Sequence, residues 1–300
     1  MTSPKIVAVC GAHTASGGPE AVHQLVDMAN QIEPGSAALC YVPCEERHSV
    51  TEAYKNYNIP TIIKKDIPKN SLVILPESLP GMVSYFEQKC ALWWLSVDNF
   101  GLNEVHTLKN FAFHLSQSQY SNDFIKSLGF ESYNLSDYIS DSFHQAHLQQ
   151  KDGIIAVNPA KGSDLIDLFI RLNPDKKVLM LANMSKKDML KALNESMIYI
   201  DFGHHPGKDR IPREAALCGC VVLSTSKGSA KNSIDLPIDS WYKFNDVEDL
   251  APKINEIFVN YHHHKANQKS YYNSIQNEKV VFKSEVKFLL DNLWSVYCEK

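Results

Sequence analysis

Two α/β domains, each a doubly wound parallel sheet, are predicted by the order of apolar runs and amphipathic segments along this chain. Short β-branched runs alternate with helix-period segments through both halves. Small-residue loops bearing glycine follow several of those runs, as they do where a strand turns into a helix. The length of 300 residues, at about 150 per domain, leaves room for two such sheets.

Lys5–Cys10 is the first strand-like run and ends in the small-residue loop Gly11–Gly18. Ala21, Val22, Leu25, Val26, Met28 and Ala29 then recur at helical spacing, Pro34-Gly35 breaks the pattern, and Ala37–Val42 is a second strand. Strand, glycine loop, helix, strand is a βαβ unit. Leu72–Leu75 (ended by Pro76), Leu92–Leu95 and Phe111–His114 predict further strands, with helices over Met82–Cys90 and Asn122–Leu128. In the second half, strands are predicted at Ile154–Val157, Lys177–Ala182, Met197–Asp201 and Val221–Ser224. They alternate with helices over Ser163–Leu172, Lys186–Leu193 and Arg213–Leu217. The polar stretch His144–Gly153 marks the expected junction, giving domains 1–149 and 150–300. From Val247 to Lys300 the pattern is helical without a strand. Two such domains facing each other would bring the carboxyl ends of both sheets to one cleft.

Thirty basic residues against 34 acidic ones give a net charge of −4, without the basic excess of a nucleic-acid binder. Apolar residues at 44% and charged ones at 21% fit a globular chain and argue against disorder. Ile154–Val157 and Val178–Ala182 are far shorter than the roughly 20 residues of a membrane-spanning helix. Met1–Lys5 leads straight into a strand with no signal-peptide core, so a cytoplasmic location is expected. The seven scattered cysteines are then expected to be reduced thiols. Neither Cys40/Cys44 nor Cys218/Cys220 has the spacing of a zinc knuckle, so no metal and no cofactor are expected.

The richest segment is Tyr199–Thr225, YIDFGHHPGKDRIPREAALCGCVVLST. A strand ends at Asp201, and a loop with Gly203, His204, His205, Gly207, Lys208, Asp209 and Arg210 follows. Proline and an acidic residue then mark a helix start at Ile211–Arg213. Such a loop feeding a helix N-terminus is an anion site, because unpaired backbone N–H groups point at the ligand. The alternative is that the glycines serve turns and the histidines lie on the surface. His144-x-x-His147 and His262-His263-His264 lack carboxylate or thiol company and read as surface residues. His13, His106 and His114 could be structural or face a cleft. Trp93, Trp94, Tyr271 and Tyr272 read as core and helix-packing residues. Ser116-Gln-Ser-Gln lacks a nucleophile-elbow context, and the Gly11–Gly18 loop does not spell a dinucleotide fingerprint.

The run from Gly207 to Val222, GKDRIPREAALCGCVV, resembles the donor loop and helix of GT-B fold glycosyltransferases, with Glu214 at the second glutamate of their E-x7-E pattern. Gly17-Gly18-Pro19-Glu20 is similar to that family's N-terminal G-G-x-E loop, and Gln117–Leu128 to its S-x6-L segment. Asn158–Gly162 is similar to its basic residue-glycine pair, and the tail from Asp246 to its helical C-terminus. The resemblance implies two Rossmann-like domains with helices 247–300 crossing back to the first. It also implies a transferase moving a sugar from a phosphate-activated donor, a nucleotide sugar, to a glycan or lipid-linked acceptor in surface polysaccharide synthesis, and a protein at most peripheral to the membrane.

By the same resemblance Lys161 faces the donor diphosphate and Glu214 orients the ribose. Arg210 and Lys208, cations of the loop feeding the helix N-terminus, are expected to face the same diphosphate. Asn158, Gly203, His204, His205, Gly207, Asp209, Gly228 and Ser229 complete the donor site, together with Gly17 and Gly18. Lys227–Ala230 either adds N–H donors or is an exposed turn. Asp98, after a predicted strand, is a candidate acceptor contact or base, or else a helix cap. Pro206 stands where the family has its first glutamate, which grips the donor sugar. With the added cations, this leaves open a more highly charged donor such as phosphoribosyl diphosphate. An epimerase or phosphorylase on the same fold and a non-catalytic sugar-binding module are the remaining alternatives.

Overall fold

The computed structural model of the chain describes residues 3–11, 15–144 and 151–298. His13 and His147 lie outside them. The chain divides into two compact units, one formed by Met1–Tyr138 with Lys279–Lys300, the other by Ile139–Glu278. The division falls before the polar stretch expected to mark it, because Ile139 and Phe143 are already buried in the second unit's core.

The first unit contains β1 (Ile6–Gly11), α1 (Gly17–Ile32), β2 (Ala37–Val42), β3 (Leu72–Pro76), β4 (Lys89–Trp94), β5 (Phe113–Ser116), α2 (Gln119–Ser127) and β6 (Ser132–Asn134). Its six strands pair in the order β2-β1-β3-β4-β5-β6, all parallel. Alternate residues of β1 serve different cores: Ile6 and Ala8 pack in one, Val7 and Val9 in the other. Burial on both faces is why these strands read as unbroken apolar runs. Trp93 and Trp94 likewise point to opposite faces, and both are fully buried.

The helix expected over Met82–Cys90 is absent. Pro80–Tyr85 forms a 3-10 turn, and Lys89 already belongs to β4. Cys90 through Trp94 are all buried within the sheet, so tertiary burial overrides the local helical spacing. Ser118 caps α2 reciprocally with Ser121, which fixes that helix just after β5.

The second unit contains α3 (Asp141–His144), β7 (Asp152–Val157), α4 (Ser163–Leu172), β8 (Lys177–Met180), α5 (Lys186–Glu195), β9 (Ser196–Asp201), α6 (Arg210–Leu217), β10 (Val221–Thr225) and β11 (Lys243–Phe244). Helices α7 (Leu250–Val259), α8 (Tyr261–Asn267), α9 (Lys269–Phe288) and α10 (Trp294–Cys298) complete the chain. The five strands of the second sheet are parallel, in the order β11-β10-β9-β7-β8. Helix α9 contributes to both units: Tyr271 and Ile275 lie in the core of the second, Phe282 and Val286 in that of the first. Residues 279–300 therefore group with the first unit rather than with the expected second domain. Within the first unit, Trp294 Nε1 donates to the Asn70 carbonyl at 2.9 Å, and Glu285 accepts from the Ser136 N–H and hydroxyl at 2.8 and 2.6 Å. Among the described residues, no helix is long and apolar enough to cross a membrane.

Candidate functional site

In the second sheet β8 lies on one side of β7 and β9 on the other, so the winding reverses between β7 and β9. Ligands of open α/β sheets bind outside the strand carboxyl ends at such a reversal. The two loops there are Asn158–Gly162 and Phe202–Asp209, and they are pressed together. Gly162 has φ +69°, and a Cβ on it would lie 2.6 Å from the Phe202 carbonyl oxygen. A Cβ on Gly203 would lie 2.5 Å from Lys161 Cβ. The loop after β10 joins them: Ser229 N–H donates to the His205 carbonyl at 2.8 Å, and the Ser229 hydroxyl to that of Gly207. Gly228, at φ +62°, is needed there because a Cβ would fall 2.1 Å from the His205 oxygen. Lys161, Gly203, His204, His205, Gly207, Gly228 and Ser229 thus share one corner of the second unit. Asn158 closes its own turn, its Oδ1 accepting from Ala160 N–H at 3.1 Å.

A buried charge network underlies the loop. Asp201 accepts from the Tyr199 hydroxyl at 2.8 Å and from the Gly203 N–H at 2.9 Å, and its Oδ1 lies 3.4 Å from His205 Nε2. His205 Nδ1 lies 3.6 Å from Asp209 Oδ2, and the Lys161 ammonium pairs closely with the same Asp209 oxygen. The His205 ring is 3% exposed, so it belongs to the loop's interior and not to a ligand-facing surface. The spacing Asp201-x3-His205-x3-Asp209 was visible in the sequence and would have pointed to this network.

Both titrations have a defined direction. Burial opposes the charge on Asp201, but His205 and the donated hydrogen bonds prevail and hold its pKa at about 2. Burial likewise opposes charge on His205, and the Asp201 and Asp209 carboxylates outweigh it, raising its pKa. Asp201 therefore contributes stability above the ordinary aspartate pKa that is lost as pH falls toward about 2. The contribution of His205 is present below its ordinary pKa and lost as pH rises through its raised value. Asp201→Asn is expected to remove about 2 kcal/mol of stability at neutral pH. It should also flatten the acid limb, which urea titrations between pH 2 and 6 would measure.

Helix α6 begins at Arg210, one residue ahead of the expected start, with Asp209 at its N-cap. Arg213 lies under that first turn, 1% exposed. Its guanidinium donates to Glu278 at 2.9 Å and to the carbonyls of Lys208 at 2.8 Å and Asp209 at 3.0 Å. Lys208 Nζ also meets Glu278, at 2.8 Å. Arg213 is thus a structural strut of the loop, and Lys161 and Lys208 each have an internal carboxylate partner. Arg210 Nε stands 3.9 Å from Glu214 Oε1, with both side chains 11% exposed.

In the first unit, the reversal falls between β1 and β3. Gly17 and Gly18 open α1 beside it, and the Tyr54 hydroxyl fixes the preceding turn by bonding both the N–H and the carbonyl of Ser16, at 2.9 and 3.0 Å. Asp98 is exposed in the 3-10 turn Val97–Asn99 after β4, one strand beyond the reversal.

Glu77, directly after β3, is a carboxylate that no sequence pattern marked. It is 2% exposed and accepts from the N–H groups of Leu95 at 2.9 Å and Ser96 at 3.2 Å and from the Asn99 amide at 3.2 Å. Burial raises its pKa to about 6 despite those bonds. The folded chain holds this proton more tightly than the unfolded one, so the contribution present at low pH is lost as pH rises through about 6. Glu77→Gln is expected to lose the pH dependence between 4.5 and 6. It should be less stable than the parent at pH 7, because its amide NH2 would face one of the buried N–H donors that a carboxylate oxygen accepts. Thermal unfolding across that range would test it.

Asp201, His205 and Asp209 bring ligand atoms within 4.8 Å of one another, a grouping that could hold a cation. The Lys161 ammonium, the Tyr199 hydroxyl and the Gly203 N–H already supply positive charge and donors to those carboxylates. His264, expected on the surface, is 5% exposed. Its Nδ1 is 2.9 Å from the Tyr242 hydroxyl and its ring stacks on Trp241, because the third histidine of α8 faces the core. His114 is also interior; Trp94 Nε1 donates to its Nδ1 at 3.3 Å, and burial lowers its pKa to about 4. His106 is exposed beside the Asn103 carbonyl.

No family model and no curated protein matches the sequence. Solved structures do match in fold. Sucrose-phosphate synthase from Thermosynechococcus elongatus superposes with a TM-score of 0.71 at 12% identity, covering 98% of this chain and 100% of that one. Anabaena HepE in complex with UDP-glucose gives 0.66 at 11% identity, over 95% and 98% of the two chains. T4 phage β-glucosyltransferase with UDP and Mn2+ gives 0.56 at 11%, over 95% and 99%. These likenesses run nearly end to end through both units, and the chain has the two-domain fold of the GT-B glycosyltransferases.

Proposed function

We propose that this protein is a glycosyltransferase that moves a sugar from a nucleoside-diphosphate sugar to a glycan or lipid-linked acceptor, in surface polysaccharide synthesis. One observation carries the reading: a lysine-glycine loop, a glycine-rich loop and a helix N-terminus interlock at the sheet reversal of the second unit. A departing diphosphate needs this combination of N–H donors and cations, already oriented before charge develops. Arg210, Lys161 and the first turn of α6 would stabilise the leaving group, while Glu214 would orient the ribose. Gly17, Gly18 and Asp98 would serve the acceptor side from the first unit. The fold neighbours that carry UDP or UDP-glucose support a nucleotide sugar.

A plain nucleotide sugar is favoured over a donor with extra phosphate. Lys161 is matched by Asp209, and Lys208 and Arg213 by Glu278, so the loop's cations are largely balanced within the chain. Pro206 still stands in place of a sugar-gripping carboxylate, which leaves donor choice to neighbouring loop atoms.

A thermal-shift screen of nucleotide sugars alongside phosphoribosyl diphosphate tests this. A donor at 100 times its Kd should stabilise the fold by about 2.7 kcal/mol. Stabilisation by phosphoribosyl diphosphate alone would overturn the donor class, and conversion of a nucleotide sugar without an acceptor would favour an epimerase. Transfer is also expected to persist in excess EDTA, since in this proposal Arg210 and the first-turn N–H groups of α6 meet the diphosphate charge. Complete loss restored by Mn2+ would instead put a metal at the carboxylates.

A further inference from the structure

A cavity of about 460 Å³ opens in the second unit between the end of α6 and helices α8 and α9, away from the loops described above. Its polar wall is formed by His262 and Lys265 of α8 and by Lys269, the first residue of α9. Ala216, Ala266 and Cys220 make the apolar floor, with Tyr272 beside it. No carboxylate lines it among the described residues.

Among the described residues, no carboxylate of the lining pairs with Lys265 or Lys269. Lys151 is half-buried behind the floor, and its ammonium donates to the carbonyls of Leu193 at 2.9 Å and Cys218 at 2.7 Å, and lies 4.0 Å from Cys220 Sγ. Burial and then the neighbouring Lys151 ammonium disfavour the charge on Lys265. In a chain of net charge −4, such a concentration of cations against an apolar floor needs an explanation. An anion entering the cavity would relieve the repulsion, and partial exclusion of water would strengthen the attraction.

We propose that this cavity binds a phosphate monoester carried on a compact apolar or ring-bearing body. Lys265 and Lys269 match the two charges of the phosphate, His262 adds a third donor, and the alanine floor with Tyr272 takes the body. The volume suits a small organic ligand and not a macromolecular segment.

Phenyl phosphate is the probe, with benzoate and phenol as controls, measured by calorimetry on the full chain. One phenyl phosphate is expected to bind per chain, with Kd at least tenfold weaker in the double variant Lys265→Gln/Lys269→Gln. The Arg210→Ala variant should bind it within about twofold of the parent, which separates this cavity from the donor loop whatever the fate of the proposed activity. Should the double variant fold poorly, Lys269→Gln alone, on an exposed residue, gives the same comparison. Unchanged affinity in the lysine variants, equal affinity for benzoate, or no saturable binding would each overturn the proposal.

Discussion

Alanine in place of Arg210 is expected to slow sugar transfer roughly 10²–10³-fold, an effect of about 3–4 kcal/mol on the transition state. The side chain sits at the first position of α6, where its charge and the N–H groups of the first turn can act on the same oxygens. Glu214, four residues on, keeps it near the helix surface. The interaction is realised as the diphosphate departs, so kcat should fall more than donor affinity. Lys161→Ala is expected to have a similar rate effect, but it also leaves Asp209 without its ammonium and should lower stability. Stopped-time assays of nucleoside diphosphate release, beside donor Kd for each variant, decide the matter. Near-parental kcat in Arg210→Ala would remove the leaving-group role.

Leucine in place of His205 should cost about 3–5 kcal/mol of folding stability at pH 6, below the ring's ordinary pKa of 6.5. The ring lies between Asp201 and Asp209 and is almost fully enclosed. Removing its charge strands Asp201, which is equally buried, with only the Tyr199 hydroxyl and Gly203 N–H as donors. One diagnostic separates this from simple repacking. In the double variant His205→Leu/Asp201→Asn much of the loss should return, because the stranded carboxylate is gone. Additive losses in chemical denaturation would mean that shape and not charge governs the site.

Strands were legible because burial on both sheet faces writes itself as apolar runs, as in Lys5–Cys10 and Val221–Ser224. Glycines were legible for a different reason: Gly162 and Gly228 occupy positive-φ positions at close approaches, and no other residue fits there. Pairing was not legible. Glu278 meets Arg213 across 65 positions, and Asp209 meets Lys161 across 48, so the loop's surplus of cations vanishes only once the chain is folded. Glu77 follows a proline at a strand end and belongs to no periodic pattern, so only its burial identifies it. His264 was misassigned because three consecutive histidines conceal which one faces the core.

All seven cysteines are free thiols, and all are buried. Burial raises Cys10 and Cys90 to about 12 and raises Cys218, Cys220 and Cys298 as well, so little thiolate is present at these five at neutral pH. The hydrogen bond between Cys40 and Cys44 raises Cys40 and lowers Cys44. Alkylation can then proceed only when the surrounding structure opens. Five of these thiols (Cys10, Cys40, Cys44, Cys90 and Cys298) belong to the first unit, and Cys218 and Cys220 to the second. The native sequence therefore carries its own reporters of local opening, one set in each unit. Mass spectrometry of timed labelling can follow donor-induced protection of either half without introducing a probe.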